Sequence, residues 1–172
     1  MDKKAVSTTA MRYGVTGGVV TFLYIICLAL LGLESPYNNI TEFSSTLIFV
    51  PIFVVLGIKE YKTFTNAAVG FGQAFMVGLA VTVFLGLTTA VLMCLFSLTI
   101  GSDMIQPYIV EMQRQMELNQ SDPAQKIDEQ KFKLVYQELE EMNALHLAQR
   151  TFMYRLITGL VVSIVSGVYF RK

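Results

Sequence analysis

Four apolar runs, separated by shorter polar segments, dominate the hydrophobic pattern of this sequence. A helix needs about 20 mostly apolar residues to cross the hydrocarbon core of a bilayer, so each run is a candidate transmembrane helix. The second run is short and contains Pro51, whose kinking effect neighbouring helices compensate inside a bundle. The pattern predicts an all-α polytopic membrane protein, a single membrane domain over residues 1–172. Its four transmembrane helices are expected at 13–33, 44–58, 71–100 and 152–170.

The segment between the third and fourth runs, residues 103–150, is dense in charged side chains. Asp122 and Pro123 are typical of a helix start, which divides the segment into two helical arms. This pattern predicts an antiparallel, extramembrane helical hairpin whose second arm continues directly into the fourth span. Mostly apolar stripes at helical spacing mark both arms: Ile105, Ile109, Met112 and Met116 in the first, and Phe132, Val135, Leu139, Met142, His146, Gln149 and Met153 in the second.

The unequal lengths of the two arms leave two arrangements open. If the arms pair in register, the apolar end of the third span, residues 92–100, projects above the bilayer against residues 142–150. Alternatively, the first arm is broken at Gly101-Ser102 or at Pro107. The third run would be roughly 45 Å long as a helix, against a hydrocarbon core of about 30 Å, and this excess favours projection.

Small residues recur at four-residue spacing in three of the predicted spans. Lipid tails are as apolar as leucine, so helices in a bilayer associate through the close packing that small residues permit. We expect the long stripe of the third span to face the fourth; the alternative is a groove for a partner's helix or a lipid. The predicted helix-packing positions are Gly14 and Gly18, then Ala74, Gly78, Thr82, Gly86 and Ala90, and finally Gly159, Ser163 and Gly167.

The basic residues near the span ends predict an orientation. Cytoplasmic loops of membrane proteins carry an excess of Lys and Arg. The 34–43 turn contains neither. We therefore expect both termini to be cytoplasmic and the 103–150 hairpin to lie on the opposite, periplasmic side. With four spans, the following residues share the cytoplasmic side: Lys3, Lys4, Arg12, Lys59, Lys62, Arg171 and Lys172.

Arg155 is the charged residue that the pattern places nearest a span interior. A charge inside a membrane span is by default a candidate functional residue. Because Arg155 lies about one turn from the predicted span end, we expect its guanidinium to snorkel to the interface. The first three predicted spans contain no charged residue, which argues against a polar transport path.

Composition agrees with a membrane protein and offers little catalytic chemistry. Hydrophobic residues make up 53% of the chain and charged residues 15%, against about 25% in soluble domains. The net charge of zero argues against a nucleic-acid partner. Cys27 and Cys94 lie in apolar runs, and the single His has no catalytic companions, so we predict no catalytic residue, cofactor or metal. Four residues of the insert could in principle ligate Cu(I): Met112, Met116, Met142 and His146. In an in-register hairpin these side chains would lie too far apart to bind one ion.

Two motifs, "FVVLGIKEYK" at 53–62 and "VGFGQAFMVGL" at 69–79, precede a long third span, an acidic helical insert and a last span that ends in "RK". The arrangement resembles the small bacterial membrane proteins named domain of unknown function 4199, over nearly the whole chain. The resemblance supplies no catalytic residue. It implies an inner-membrane protein with an accessory role in envelope glycan metabolism, beside a polyprenyl-phosphate glycosyltransferase.

We therefore expect a non-enzymatic accessory or scaffold subunit that acts through protein association. Its expected partners are the lipid bilayer and either another membrane protein or a second copy of itself. A homodimer through the hairpin or through Gly14 and Gly18 would fit equally well. The alternative function is a small transporter or channel, which buried charge within the spans would favour.

Overall fold

The computed structural model describes residues 3–65, 69–99, 102–121 and 128–171, and within these ranges it contains six helices and no strand. Four of the helices are long and apolar enough to cross a membrane: α1, α2, α3 and α6. The prediction of an all-α chain with four helices of this kind is confirmed. The helices are α1 (Lys3–Leu30), α2 (Asn39–Thr65), α3 (Phe71–Leu98), α4 (Ser102–Ser121), α5 (Glu129–Glu140) and α6 (Ala144–Phe170).

The long helices differ in their bounds from the apolar runs. α1 begins at Lys3 instead of residue 13, and α2 covers Asn39–Thr65 instead of 44–58. A helix keeps its backbone hydrogen bonds beyond the bilayer core, so hydropathy marks the middle of a spanning helix better than its ends. Pro51 lies inside α2, which continues through it.

α3 lies at the centre of the bundle and packs against α1, α2 and α6, while α2 also contacts α1 and α6. The main buried cluster combines Val50 and Val54 of α2 with Val77, Val81 and Leu85 of α3. The three α3 residues recur every four positions, which gives this helix a continuous buried stripe. The other long helices are therefore positioned by their contacts with α3.

Small residues bring α6 close to α3. A Cβ atom on Gly159 would overlap the side chain of Thr82, and one on Gly78 would lie 2.8 Å from Ser163 Oγ. Close backbone approach of this kind is what small residues permit between membrane helices. Within this chain, α6 therefore occupies the small-residue stripe of α3. The other stripe positions lie as follows: Ala74 and Ala90 are buried, Gly86 faces the Phe152 ring, and Gly167 faces the Phe71 ring.

Gly14 and Gly18 of α1 lie against a different face of α3. A Cβ atom on Gly14 would overlap Phe84, and one on Gly18 would lie 2.6 Å from Thr88 Cβ. Thr89 Oγ1 also donates a hydrogen bond to the carbonyl oxygen of Gly18 at 3.2 Å. α3 of the same chain therefore covers these two glycines, and the association of two copies stays a prediction.

Two shorter helices, α4 and α5, connect α3 to α6. α5 ends at Glu140 and α6 begins at Ala144. Between them, the Asn143 side chain accepts hydrogen bonds from the backbone N–H groups of Leu145 and His146. The predicted direct continuation of the second arm into the fourth span is wrong, because this asparagine N-cap starts a new helix.

α4 and α5 make few contacts with each other. One of them is a hydrogen bond from Tyr136 Oη to Glu117 Oε1 at 3.5 Å. Pro107 lies within α4 without breaking it. At the base of the segment, Met93 of α3 and Leu147 of α6 share a buried cluster. The predicted break at residue 101 and the predicted turn at 122–123 lie outside the described residues.

Candidate functional site

Arg155 of α6 and Glu42 of α2 form an ion pair in the interior of the bundle. Arg155 Nη1 lies 2.7 Å from Glu42 Oε2, and the two side chains are 0% and 1% exposed. The predicted snorkelling of Arg155 is wrong, because the guanidinium finds its partner inside the protein. An isolated charge is costly in a low-dielectric interior, so charges within a spanning bundle pair in this way.

Hydrogen bonds complete the pair on both sides. Thr151 Oγ1 donates to Glu42 Oε1 at 2.6 Å, so both carboxylate oxygens are engaged. Arg155 Nη1 also donates to the carbonyl oxygen of Thr151 at 2.9 Å, and Nη2 donates to Ser45 Oγ at 3.4 Å. Charge-assisted hydrogen bonds are stronger than neutral ones. These polar contacts therefore join α2 to α6 inside the bundle.

Helical spacing brings these side chains together. Thr151 and Arg155 are four residues apart on α6, and Glu42 and Ser45 are three apart on α2, so each pair lies on one helix face. Glu42 lies in the first turn of α2, where the positive end of the helix dipole favours a negative charge. Gly86 of α3 lies beside this part of α6, since a Cβ atom there would lie 3.1 Å from the Phe152 ring and 3.5 Å, an ordinary contact distance, from Arg155 Cβ.

Further buried polar atoms occur on Arg155 itself and on α2 close to Glu42 in sequence. Arg155 Nε and the hydroxyls of Thr41 and Thr46 are buried and have no hydrogen-bond partner among the described residues. Thr41 precedes Glu42 directly, and Thr46 follows it by four positions on α2. Unsatisfied buried groups of this kind raise the free energy of the folded state. The cluster therefore has hydrogen-bonding capacity beyond that used by the ion pair.

A second polar network lies at the base of α4. Arg150 Nη1 donates to Tyr108 Oη at 2.8 Å, and Nη2 donates to the carbonyl oxygen of Tyr37. Tyr37 Oη donates to Ser97 Oγ of α3 at 2.9 Å. Burial raises the pKa of the Tyr37 phenol, and the hydrogen bond with Ser97 lowers that pKa in part. The network ties the 31–38 connection, α3 and α4 to α6.

Glu42 belongs to a stretch that the hydrophobic pattern assigns to a polar turn. α2 begins earlier, at Asn39, so Glu42 lies within the helix, two residues before the predicted span of 44–58. The available signal was Arg155 itself. A buried positive charge in one span requires a negative partner, and Glu42 lies at the edge of the second apolar run.

Four long apolar helices packed together are typical of a small polytopic membrane protein, and a buried ion pair joins two of them. The chain belongs to the family described as Protein of unknown function (DUF4199), whose family model matches residues 12–172. The resemblance inferred from the sequence motifs is thereby confirmed, and the match includes both partners of the ion pair. No curated protein and no solved structure matches the chain.

Proposed function

We propose that this protein is a non-enzymatic accessory subunit of a bacterial inner membrane, and that it binds another membrane protein through α4 and α5. The supporting observation is apolar surface that the described chain leaves uncovered: Val110, Leu118 and Leu134 are each 60% exposed. α4 and α5 are not among the helices long and apolar enough to cross a membrane. A protein partner would cover these exposed apolar side chains.

Charged side chains flank the apolar positions of α5. Lys131, Lys133 and Glu138 are exposed on this helix. An apolar centre with a charged rim is typical of protein interfaces, in which the rim contributes to partner choice. The Arg150–Tyr108 hydrogen bond anchors the base of α4 to α6 and would present this surface at a fixed place on the bundle.

In this proposal both termini are cytoplasmic, and α4 and α5 form a periplasmic, extramembrane hairpin. The excess of Lys and Arg at the opposite end of the bundle supports this orientation. A reporter active only in the periplasm should be active when fused after Asn119 and inactive when fused after Lys62. The reverse pattern would overturn the orientation.

The family resemblance favours a partner in envelope glycan metabolism, beside a polyprenyl-phosphate glycosyltransferase. Purification of the tagged protein from native membranes in mild detergent tests the association. We expect a co-purifying membrane protein that is lost in the Leu118→Ser/Leu134→Ser variant. Leu145→Ser is the matched control, because Leu145 is 68% exposed but lies at the start of α6. Loss of the partner from both variants, or a monomer without a partner, would contradict the proposal.

A small transporter or channel is the second candidate function. The buried Glu42–Arg155 pair favours it, because ionisable residues inside membrane spans frequently mark ion or substrate paths. Reconstitution in liposomes distinguishes the two functions. Ion or solute flux that is lost in the Glu42→Gln variant would support transport, and absence of flux alongside a co-purifying partner would support the accessory role.

A further inference from the structure

A cavity of about 380 Å³ lies between α1 and α2 where α1 begins and α2 ends. This volume falls within the range of small-molecule sites. The cavity includes no residue of the ion-pair cluster or of the exposed α4–α5 surface. Its lining consists of Lys4, Ala5, Thr8, Thr9 and Arg12 from α1 and Glu60 and Phe64 from α2.

The lining residues form a stripe on each of the two helices. Lys4, Thr8 and Arg12 are four residues apart on α1, and Glu60 and Phe64 are four apart on α2, so each set shares one helix face. Arg12 Nη1 lies 3.7 Å from Glu60 Oε1. Among the described residues, the lining contains two cationic side chains and one carboxylate, which gives it a net positive charge.

Thr9 provides an independent indication of a ligand. It is 6% exposed and lines the cavity, and its hydroxyl makes no hydrogen bond within the described residues. Thr16 and Thr21 of the same helix behave differently, since each donates to the carbonyl oxygen four residues earlier at 2.7 Å. The Thr9 hydroxyl is therefore available to donate a hydrogen bond to a molecule bound in the cavity.

The helices also place the cavity at a defined level of the bilayer. α1 changes from polar to apolar at Arg12–Tyr13, and α2 changes from apolar to polar at Ile58–Lys59. If both helices cross the membrane, these boundaries lie at the interface, where lipid phosphates are located. Phe64 is 71% exposed and offers an apolar contact beside the polar lining.

We propose that this cavity binds the phosphate of an anionic phospholipid. Lys4 and Arg12 supply the positive charge, and the hydroxyls of Thr8 and Thr9 donate hydrogen bonds to phosphate oxygens. Basic pockets between membrane helices bind anionic headgroups by the same chemistry. The Arg12–Glu60 contact at 3.7 Å offsets part of the negative charge of the carboxylate, and with Lys4 the described lining keeps a net positive charge.

Native mass spectrometry of the full chain, purified with mixed phosphatidylglycerol and phosphatidylethanolamine, tests the proposal. Phosphatidylglycerol should be retained preferentially, and the Lys4→Gln/Thr9→Val variant should retain on the order of fivefold less. Lys59→Gln/Thr63→Val is the matched control. It removes one lysine charge and one hydroxyl at the same end of the bundle, outside the cavity lining.

Equal loss in the control would overturn the proposal, because the effect would then come from general surface charge. Displacement of the lipid by excess inorganic phosphate, together with phosphate binding in lipid-free detergent, would assign the site to soluble phosphate and overturn the lipid assignment. Thermal unfolding of the unmodified chain gives a second test that needs no variant. Phosphatidylglycerol should raise its Tm more than phosphatidylethanolamine does, and equal shifts would overturn the proposal.

Discussion

α6 is attached to the bundle in two different ways along its length. Around Gly159 it packs against Thr82 of α3 by shape, whereas nearer its start Thr151 and Arg155 bind Glu42 of α2 by charge and hydrogen bonds. Small residues let any suitably shaped helix come close, but a buried arginine is costly unless the neighbouring helix supplies a compensating charge. We infer that small residues make the close approach feasible, while the ion pair selects the neighbour and its register.

Removing one charge of the Glu42–Arg155 pair is the strongest test of the difference between attachment by charge and attachment by shape. Arg155→Met should destabilise the protein by about 3–5 kcal/mol, because Glu42 would be left buried without its cationic partner. Thermal and denaturant unfolding in detergent measure the loss. The neutral double variant Glu42→Gln/Arg155→Met should recover much of it, and equal losses in the single and double variants would show that charge pairing is not the cause.

Thr151→Val should have the next largest effect. The substitution keeps the shape of the side chain but removes the donor to Glu42 Oε1, and a hydrogen bond to a charged group contributes about 1.5–3 kcal/mol. The same unfolding measurement applies. Thr151→Ser retains the hydroxyl and should stay close to the unmodified protein; similar destabilisation by Val and Ser would refute a role for the hydrogen bond.

Gly159→Leu tests the attachment by shape. The new side chain would overlap Thr82, and overpacking costs about 1–3 kcal/mol, so unfolding should occur at a lower temperature while membrane insertion persists. Gly78→Leu should act in the same direction. Gly72→Leu is the control, since a Cβ atom on Gly72 meets nothing within 4 Å. Unchanged stability in Gly159→Leu and Gly78→Leu would place the stripe against lipid.

Tyr37→Phe should give the smallest effect, a loss of about 0.5–1.5 kcal/mol from the missing hydrogen bond to Ser97. The pKa of Tyr37 is raised above its ordinary value of 10.0 in the fold, so the neutral phenol stabilises the protein fully below that pH. This contribution is lost as pH rises through the raised pKa. The stability difference between the two proteins should therefore narrow in alkaline solution, and a difference independent of pH would contradict this assignment.

The sequence predicts individual helices better than their junctions. The apolar runs locate the middle of all four long helices, because a spanning helix must be apolar over the bilayer core. They do not locate the start of α2, where Glu42 is buried although the hydrophobic pattern assigns residues 34–43 to a polar turn. The junction between α5 and α6 was also missed, because the periodic stripe continues through Asn143 while the side-chain cap interrupts the helix.

The sequence alone determines that this chain forms long apolar helices with small-residue faces, since length, hydropathy and four-residue spacing are local properties of each segment. Only the tertiary structure decided which surfaces meet. It covers Gly14 and Gly18 with α3, and it joins Glu42 to Arg155 across 113 residues of sequence. A charge in the sequence shows that a partner is needed, but the partner is selected by which helix faces fit together, and that depends on all the packed helices at once.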